Sequence, residues 1–376
     1  MKVLQIGKYY PPHWGGMETA LKDICESLGG EVDLQVLVAN NAANRTEEIH
    51  GGIAVTRLSN WKTLFSQPLT LGLFGELRRR RADIIHLHEP NPLALALFLA
   101  SRNPARLIIH YHSDIVRQRM LLRLYRPILE RGLARAEAIV VGSPQLRDSS
   151  PILRHWRHKC VVVPFGIDLA PLLALRPSAS GGAIRILAVG RLSYYKGFHH
   201  LIDAMRIVHA SGSAPCQLVI AGDGELRAQL QAKIDSLGLS NHVQLEGRVS
   251  AERLLDLYSS SDIFCLPSCE SSEAFGLATV EAMAAGLPVV TTDLPTGVRL
   301  VNQHRETGLV VPPSDPAALA EALLTLAHGP ALRRAYGAAG RGRARQMFAR
   351  KVMGQAILRL YRCVEAGHPI QEVATL

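Results

Sequence analysis

Short apolar runs alternate with helical stretches along almost the whole chain, and this alternation constrains the fold more than any other feature. In chain order the runs are Val3–Ile6, Leu34–Val38, Ile53–Arg57, Ile84–Leu87, Leu107–Tyr111, Ala138–Val141, Val161–Val163, Ile184–Val189, Gln217–Ile220, Val243–Glu246, Ile263–Leu266, Pro288–Thr291 and Gly308–Val311. Strands that alternate with helices predict an α/β architecture with parallel sheets.

The alternation is interrupted once, between Leu169 and Ala183, by two prolines and a Ser/Gly-rich stretch that is typical of a linker. We therefore predict two domains, residues 1–175 and 176–348, as the 376-residue length also suggests. The last helical stretch, within 349–376, is expected to pack back on the first domain. Ligands of such folds bind at the C-terminal ends of the strands, here in a cleft between the domains.

No apolar run approaches the ~18 residues that span a bilayer. The N-terminus becomes polar too soon for a signal peptide, so we expect a cytoplasmic protein. The six cysteines form no CxxC pair, which favours buried free thiols over a metal site.

In each predicted domain, the turn after the first strand carries residues that could bind a phosphate: glycines in the first domain and cations in the second. Gly15 and Gly16 open the first helix and would let a phosphate approach the backbone, although the turn is not GxGxxG and could be a simple bend. In the second domain, Arg191 and Lys196 lie just beyond a strand that ends at Gly190. Such a pair suits a diphosphate, and a solvated basic loop is the alternative.

The most informative segment runs from Pro267 to Val290, where a strand, a loop and a helix follow one another. We expect the helix to start near Phe275, with Glu273 just before it and Glu281 about two turns along. The first helical amides and the helix dipole favour a phosphate, beside which Glu273 could bind sugar hydroxyls. Two surface glutamates on a helix are the plain alternative, which the Phe-Gly context disfavours.

The Glu-x7-Glu segment with its Glu-Ala-Phe-Gly core resembles the signature of retaining glycosyltransferases of family 4, which have the GT-B fold. Arg191 with Lys196, and the turn at Gly15 and Gly16, match other features of the same family. The resemblance implies two Rossmann-like parallel-sheet domains facing across a deep cleft, the first for the acceptor and the second for the nucleotide-sugar donor. It implies no metal and no cofactor, because the nucleotide-sugar is a substrate and the cations neutralise the leaving diphosphate.

The resemblance also implies roles for individual residues. Glu273 would contact the donor sugar, Glu281 the ribose, and Arg191 with Lys196 the diphosphate. The residues expected around the donor are Gly15, Gly16, Arg191, Lys196, Gly247, Arg248, Val249, Glu273, Ala274, Phe275, Gly276, Leu277 and Glu281, of which Gly247 to Val249 would hold the nucleobase.

His112 follows a strand of the first domain and matches a family histidine near the reacting sugar. It joins Glu273, Arg191 and Lys196 as a candidate catalytic residue, although a lone histidine is ordinarily a core or surface residue. Asp114 and Arg117 are candidate acceptor-side groups. The pair His86 and His88 could suggest a metal, but no acidic cluster supports one. No nucleophile is evident on the far face of the sugar for a double displacement, and the resemblance implies front-face attack within one ion-pair-like complex.

The net charge of +10 is concentrated in residues 1–175, which hold 22 Lys and Arg against 15 Asp and Glu. Arginines recur among apolar residues from Ile115 to Arg135, and Arg78–Arg81 adds a cluster. Such helices can lie on anionic membranes, so we expect peripheral contact with the inner face of the cytoplasmic membrane. An ordinary solvated face is the alternative.

Within family 4, the chain resembles bacterial mannosyl- or rhamnosyltransferases of lipopolysaccharide and exopolysaccharide synthesis. The expected acceptor is a lipid-linked saccharide. The preferred donor carries mannose or a deoxy-hexose on GDP, with a UDP-hexose as the alternative. A nucleotide-sugar hydrolase or epimerase of the same fold is the rival class of enzyme. A nucleic-acid binder is disfavoured, since no stacking motif or binding module is present.

Overall fold

The computed structural model describes residues 1–13, 15–64, 67–114, 119–175 and 182–370, with the side chains of residues 119–122 excepted. The chain divides into two compact units. Unit 1 comprises Met1–Ile167 and the chain from Arg350 onward, and unit 2 comprises Asp168–Ala349. The division falls at Ile167, eight residues before the boundary that composition indicated.

Unit 1 is built on a sheet whose strands, in the described residues, run in the order β10-β9-β8-β7-β1-β2-β4-β3. The strands of unit 1 are β1 Lys2–Ile6, β2 Asp33–Ala39, β3 Thr46–His50, β4 Ile53–Leu58, β5 Thr63–Leu64, β6 Gln67–Pro68, β7 Ile84–Glu89, β8 Arg106–Tyr111, β9 Ala138–Val141 and β10 Cys160–Val162. All neighbours in this sheet pair in parallel except β3 with β4, while β5 and β6 form a separate antiparallel pair.

Helices cover both faces of this sheet. They are α1 Gly16–Ser27, α2 Gly72–Arg79, α3 Pro92–Ser101, α4 Arg119–Arg135, α5 Pro144–Ser149 and, from the end of the chain, α14 Arg350–Ala366. One face packs against α2, α3 and α4, and the other packs against α1 and α14. The long final helix therefore completes the core of unit 1 and supplies buried residues such as Leu360 and Tyr361.

Unit 2 contains a six-stranded, fully parallel sheet in the order β13-β12-β11-β14-β15-β16. Its strands are β11 Ile184–Val189, β12 Cys216–Ala221, β13 Val243–Gly247, β14 Ile263–Leu266, β15 Val289–Thr292 and β16 Gly308–Val311. Its helices are α6 Ala170–Leu173, α7 Phe198–Ala210, α8 Arg227–Ser236, α9 Ala251–Ser259, α10 Leu277–Ala285, α11 Val298–Val301, α12 Pro316–His328 and α13 Pro330–Met347. The prediction of an α/β protein with two parallel-sheet units is confirmed.

The antiparallel strand β3 was not predicted. Its sequence, Thr46–His50, lacks an apolar run and is largely exposed, as an edge strand can be. Among the described residues, no helix is both long enough and apolar enough to cross a bilayer.

Candidate active site

The turn after β14 carries the acidic segment of unit 2. Its helix, α10, begins at Leu277, two residues later than expected, because Gly276 adopts a left-handed backbone with φ 77°. Glu273 therefore lies in the preceding turn, and its position is not set by helical periodicity. Phe275 is buried and packs edge-on against Phe348, with ring centroids 5.8 Å apart, which anchors the turn.

Glu273 is held by two side chains at the carboxyl end of the sheet. Lys196 Nζ lies 2.6 Å from Glu273 Oε2, and the Ser268 hydroxyl donates to the same oxygen at 2.8 Å. The Lys196 and Glu273 side chains are only 13% and 9% exposed. Sequence reasoning placed both residues at one site, which the structure shows, but it did not foresee that they pair with each other.

The backbone around Lys196 explains this closeness. Gly197 has φ 67°, and an added Cβ there would collide with the carbonyl oxygen of Pro267. Only a glycine permits this approach between the loop after β11 and the end of β14. The contact brings Lys196 beside the residues that follow Pro267.

Arg191, the second predicted cation, lies apart from this pair. Its side chain is 73% exposed, and its Nε lies 3.4 Å from Glu225 Oε2. An exposed pair of this kind contributes little to stability, so the guanidinium can readily exchange its partner. Its assignment to the diphosphate stays a prediction.

Glu281 is bonded to a tyrosine that sequence reasoning missed. The Tyr258 hydroxyl donates to Glu281 Oε2 at 2.7 Å. Burial raises the pKa of Glu281, and the Tyr258 hydrogen bond and the charge of Lys196 act against that rise. Lys196 thus lies within the electrostatic reach of both glutamates, and the assignment of Glu281 to the ribose stays a prediction.

The expected nucleobase segment lies at the end of β13. Gly247 has φ 80° and its carbonyl accepts from the amide of Gly222, while Arg248 is exposed. The guanidinium of Arg227 lies against Gly247, where an added Cβ would come within 3.0 Å of it. A Cβ added at Gly222 would collide with the carbonyl oxygen of Gly190. The carboxyl ends of β11, β12 and β13 therefore approach closely.

In unit 1, Gly15 is the N-cap of α1 and Gly16 is its first residue. Among the described residues, no atom lies within 4 Å of a Cβ added at Gly16, so its role at a phosphate stays a prediction. Asp114 accepts hydrogen bonds from the hydroxyls of Tyr111 and Ser150, each at 2.7 Å, so it is anchored within unit 1. Arg117 lies outside the described residues.

His112 belongs to a stack of four buried histidines. His86 and His88 come from β7, His110 from β8, and His112 follows β8 directly. The rings of His110 and His112 are 4.3 Å apart and inclined by 9°, and Phe165 stacks on His112 at 5.6 Å. Burial lowers the pKa of His112 to about 3, so the ring is neutral at physiological pH.

Three of these histidines could be considered as metal ligands, because ring nitrogens of His86, His88 and His110 lie within 4.8 Å of one another. However, their ring planes are inclined by only 12–25°. The lone pairs of imidazoles lie in the ring planes, so nearly parallel rings do not direct them at one ion as a tetrahedral site requires. The stack is better described as a neutral, packed column.

Tyr258 and Ser268 are the residues that sequence reasoning missed at the acidic pair. Each orients one glutamate through a single hydroxyl. Ser268 lies in the informative segment, five residues before Glu273, but nothing in the sequence singled it out. Tyr258 comes from α9, 23 residues before its partner, so its role follows from tertiary packing alone.

Comparison with known proteins identifies the class that this fold and site define. Residues 14–171 match the family described as Glycosyltransferase Family 4, and residues 176–343 match Glycosyl transferases group 1. The chain is 36% identical over 359 residues to the D-rhamnosyltransferase WbpZ of Pseudomonas aeruginosa, covering 93% of this chain and 92% of that protein. It is 32% identical over 376 residues to the O-antigen chain mannosyltransferase C of Escherichia coli, covering 96% and 98%.

Solved structures agree on the fold. The sucrose-phosphate synthase of Thermosynechococcus elongatus superposes with a TM-score of 0.76 at 22% identity, covering 97% of this chain and 99% of that one. Anabaena HepE, solved in complex with UDP, gives a TM-score of 0.77 at 20% identity, covering 96% and 100%. The chain belongs to the family 4 glycosyltransferases of GT-B fold, and the resemblance noted from its motifs is confirmed.

Proposed function

We propose that this glycosyltransferase is a retaining hexosyltransferase that moves mannose or a deoxy-hexose from a GDP donor onto a lipid-linked saccharide. The product would enter lipopolysaccharide or another cell-surface polysaccharide. The buried Lys196–Glu273 pair carries the proposal, because it sets a cation and a carboxylate where a phosphate and a sugar would meet. The names of the rhamnosyl- and mannosyltransferase relatives support the choice of sugar.

Departure of the nucleoside diphosphate is the step that the site would assist. Lys196 and, after moving, Arg191 would stabilise the developing charge on the diphosphate, together with the first amides of α10. Two side-chain cations and a helix N-terminus can neutralise this charge, so the proposed reaction uses no metal ion. Removing one such donor costs about 10²- to 10³-fold in kcat.

In this proposal the sugar keeps its anomeric configuration without Glu273 acting as a nucleophile, and the contacts of Glu273 support this. Its Oε2 is already bound by Lys196 and Ser268, which suits contact with sugar hydroxyls more than attack on the anomeric carbon. The acceptor hydroxyl would then attack from the face that the diphosphate leaves. A departing phosphate oxygen would take its proton, and the neutral ring of His112 would lie near the sugar.

The decisive experiment incubates the purified chain with GDP-mannose, a GDP-deoxy-hexose or a UDP-hexose, with and without lipid-linked acceptor. We expect acceptor-dependent transfer with the donor's anomeric configuration in the product, unchanged by a chelator. Inversion or loss of activity with chelator would refute the mechanism. Transfer from the UDP-sugar alone would favour that donor, as UDP-bound HepE suggests. Free sugar or an epimer without transfer would indicate the rival classes.

A variant pair ties the activity to the site. Lys196→Met should lower kcat by about 10²- to 10³-fold, because it removes one donor to the leaving group. Lys233→Met is the matched control: Lys233 also pairs with an acid, Asp203, at 2.7 Å in unit 2 but belongs to no candidate site. If both variants retain full activity, Lys196 does not act on the leaving group.

Peripheral membrane contact is part of the proposal, and exposed apolar side chains of unit 1 support it. On α4, Leu129 and Leu133 are buried in the core, so of its described side chains Leu124 is the large exposed apolar one. Trp61, near the β5–β6 pair, is 77% exposed, and Leu71, at the start of α2, is 66% exposed. Exposed aromatic and aliphatic side chains beside basic segments are typical of interfacial binding.

Vesicle flotation tests this contact. The chain should float with anionic vesicles, less so at high salt, and the double variant Trp61→Ser/Leu71→Ser should weaken flotation. Ile49→Ser is the matched control, because Ile49 is equally exposed but lies on the edge strand β3. Equal flotation of both variants, or none for the natural chain, would contradict the proposal.

A further inference from the structure

A continuous chain of buried hydrogen bonds leads from α14 to His112. The amide nitrogen of Gln5 donates to the Tyr361 hydroxyl at 2.8 Å. The amide oxygen of Gln5 lies 3.1 Å from His88 Nε2, and His88 Nδ1 lies 2.9 Å from His112 Nε2. Gln5, His88 and Tyr361 are fully buried, and His112 is 7% exposed. Residues from β1, β7 and α14 thus converge on one catalytic candidate.

The donor and acceptor roles along this chain are determined by its first member. Gln5 donates from its amide nitrogen to the Tyr361 hydroxyl, which can in turn donate to His86 Nδ1 at 2.6 Å. The carbonyl oxygen of Gln5 therefore faces His88 and must accept a hydrogen bond from it. His88 therefore carries hydrogen on Nε2 and has a bare Nδ1. That bare nitrogen accepts from His112 Nε2–H, which leaves Nδ1 of His112 without a proton.

The protonation state of the rings is consistent with this chain. Burial is the largest cause that holds the pKa of His88 well below its usual value, and it lowers that of His112 to about 3. Each ring at neutral pH thus has one N–H and one lone pair. A doubly protonated ring would have two N–H donors and no acceptor, so it could not both donate to one neighbour and accept from the next.

We propose that Tyr361, Gln5 and His88 are positioning residues that fix His112 in the Nε2–H tautomer and present its bare Nδ1 as an acceptor for a saccharide hydroxyl. The identity of the ligand rests on the proposed function, whereas the tautomer does not. Stacking on His110 and Phe165 holds the ring plane, and the hydrogen-bond chain sets which nitrogen is protonated. Nδ1 of His112 makes no hydrogen bond within the described part of the chain.

The tautomer can be measured directly in the intact, ligand-free protein. Proton–nitrogen correlation spectra of ¹⁵N-histidine-labelled protein separate protonated from bare ring nitrogens, and His112→Asn assigns the signal. We expect His112 to be protonated at Nε2. Tyr361→Phe frees the amide of Gln5 to turn, so both tautomers of His112 should then be populated. Tyr10→Phe should change nothing at His112, because the buried Tyr10 hydroxyl is not a member of this hydrogen-bond chain.

A rescue experiment separates positioning from mere packing. Gln5→Met should release the tautomer as Tyr361→Phe does. Gln5→Glu should retain it, since a carboxylate accepts from both neighbours and keeps hydrogen on His88 Nε2. If these residues only supported the packing, the change in the His112 tautomer would instead follow the loss of stability of each variant. Protonation of His112 at Nδ1 in the natural protein, or an unchanged tautomer in both Tyr361→Phe and Gln5→Met, overturns the inference.

Kinetics connect the tautomer to transfer and keep the two proposals distinguishable. Loss of one orienting hydrogen bond should lower kcat/KM of Tyr361→Phe about 2- to 10-fold, and that of Tyr10→Phe not at all. If the tautomer behaves as expected but no donor supports transfer, the proposed function fails and the positioning chain stands. If transfer occurs but His112 carries hydrogen on Nδ1, the chain is wrong and the function stands.

Discussion

Replacing Lys196 tests whether the buried ion pair of unit 2 is as important as its geometry indicates. At 2.6 Å, and with an effective dielectric constant of about 20, the Lys196–Glu273 attraction is about 6 kcal/mol before desolvation is counted. Removing one partner of a buried pair typically costs 3–5 kcal/mol, because the other charge is left uncompensated. The Ser268 hydrogen bond to Glu273 remains, so we expect a loss of about 3 kcal/mol for Lys196→Met.

Thermal and chemical denaturation would measure this loss. For a unit of this size, about 3 kcal/mol corresponds to a fall of roughly 6–12 °C in the Tm of its transition. Lys196→Met/Glu273→Gln should recover much of the loss, because the charge of Glu273 is then no longer left uncompensated. Lys233→Met, which breaks a half-exposed pair, should cost at most about 1 kcal/mol. Equal shifts for the two lysine variants, or no recovery in the double variant, would refute the reasoning.

Three further variants test other parts of the structure. Tyr258→Phe leaves an oxygen of Glu281 without its donor and should cost about 1–3 kcal/mol in chemical denaturation; no loss would contradict the hydrogen bond. Burial raises the pKa of Glu89 to about 7 from its ordinary 4.5, so the folded chain keeps a proton that the unfolded chain loses. The free energy of unfolding should therefore fall by about 3 kcal/mol between pH 4.5 and 7, and Glu89→Gln, compared across the same pH range, should remove this contribution. Gly197→Ala should destabilise by more than about 2 kcal/mol, since it adds a collision to left-handed strain, whereas Gly212→Ala, with φ 61° and open space, should show only the strain; equal losses would contradict the close contact.

The sheet strands were predictable wherever they are buried on both faces. Such strands are continuous apolar runs, and each of the thirteen expected runs overlaps a strand. The edge strand Thr46–His50 carries no such signal, because most of its side chains face solvent. The start of α10 was placed two residues early, since the left-handed backbone of Gly276 ends the turn and cannot be read from helical periodicity.

The sequence predicted which residues belong to the candidate site, but not which side chains contact one another there. The Glu-x7-Glu segment named Glu273 and Glu281, but their partners Lys196 and Tyr258 come from other elements that only the fold brings near. The histidine column shows the same limit. The sequence indicates that histidines recur along two strands, but their stacking requires that β7 and β8 be neighbours with His88 opposite His110.

The charge balance of unit 2 explains why the proposed metal-free reaction calls on two cations. Lys196 already compensates Glu273 and acts on Glu281, so only part of its positive charge is left for a diphosphate. Arg191 lies on the same loop, and its guanidinium forms an exposed pair with Glu225 that is worth at most about 1 kcal/mol. A bidentate contact with phosphate would repay that loss. The proposed mechanism therefore depends on Arg191 as the cation that moves, while Lys196 stays as the cation that is already in place.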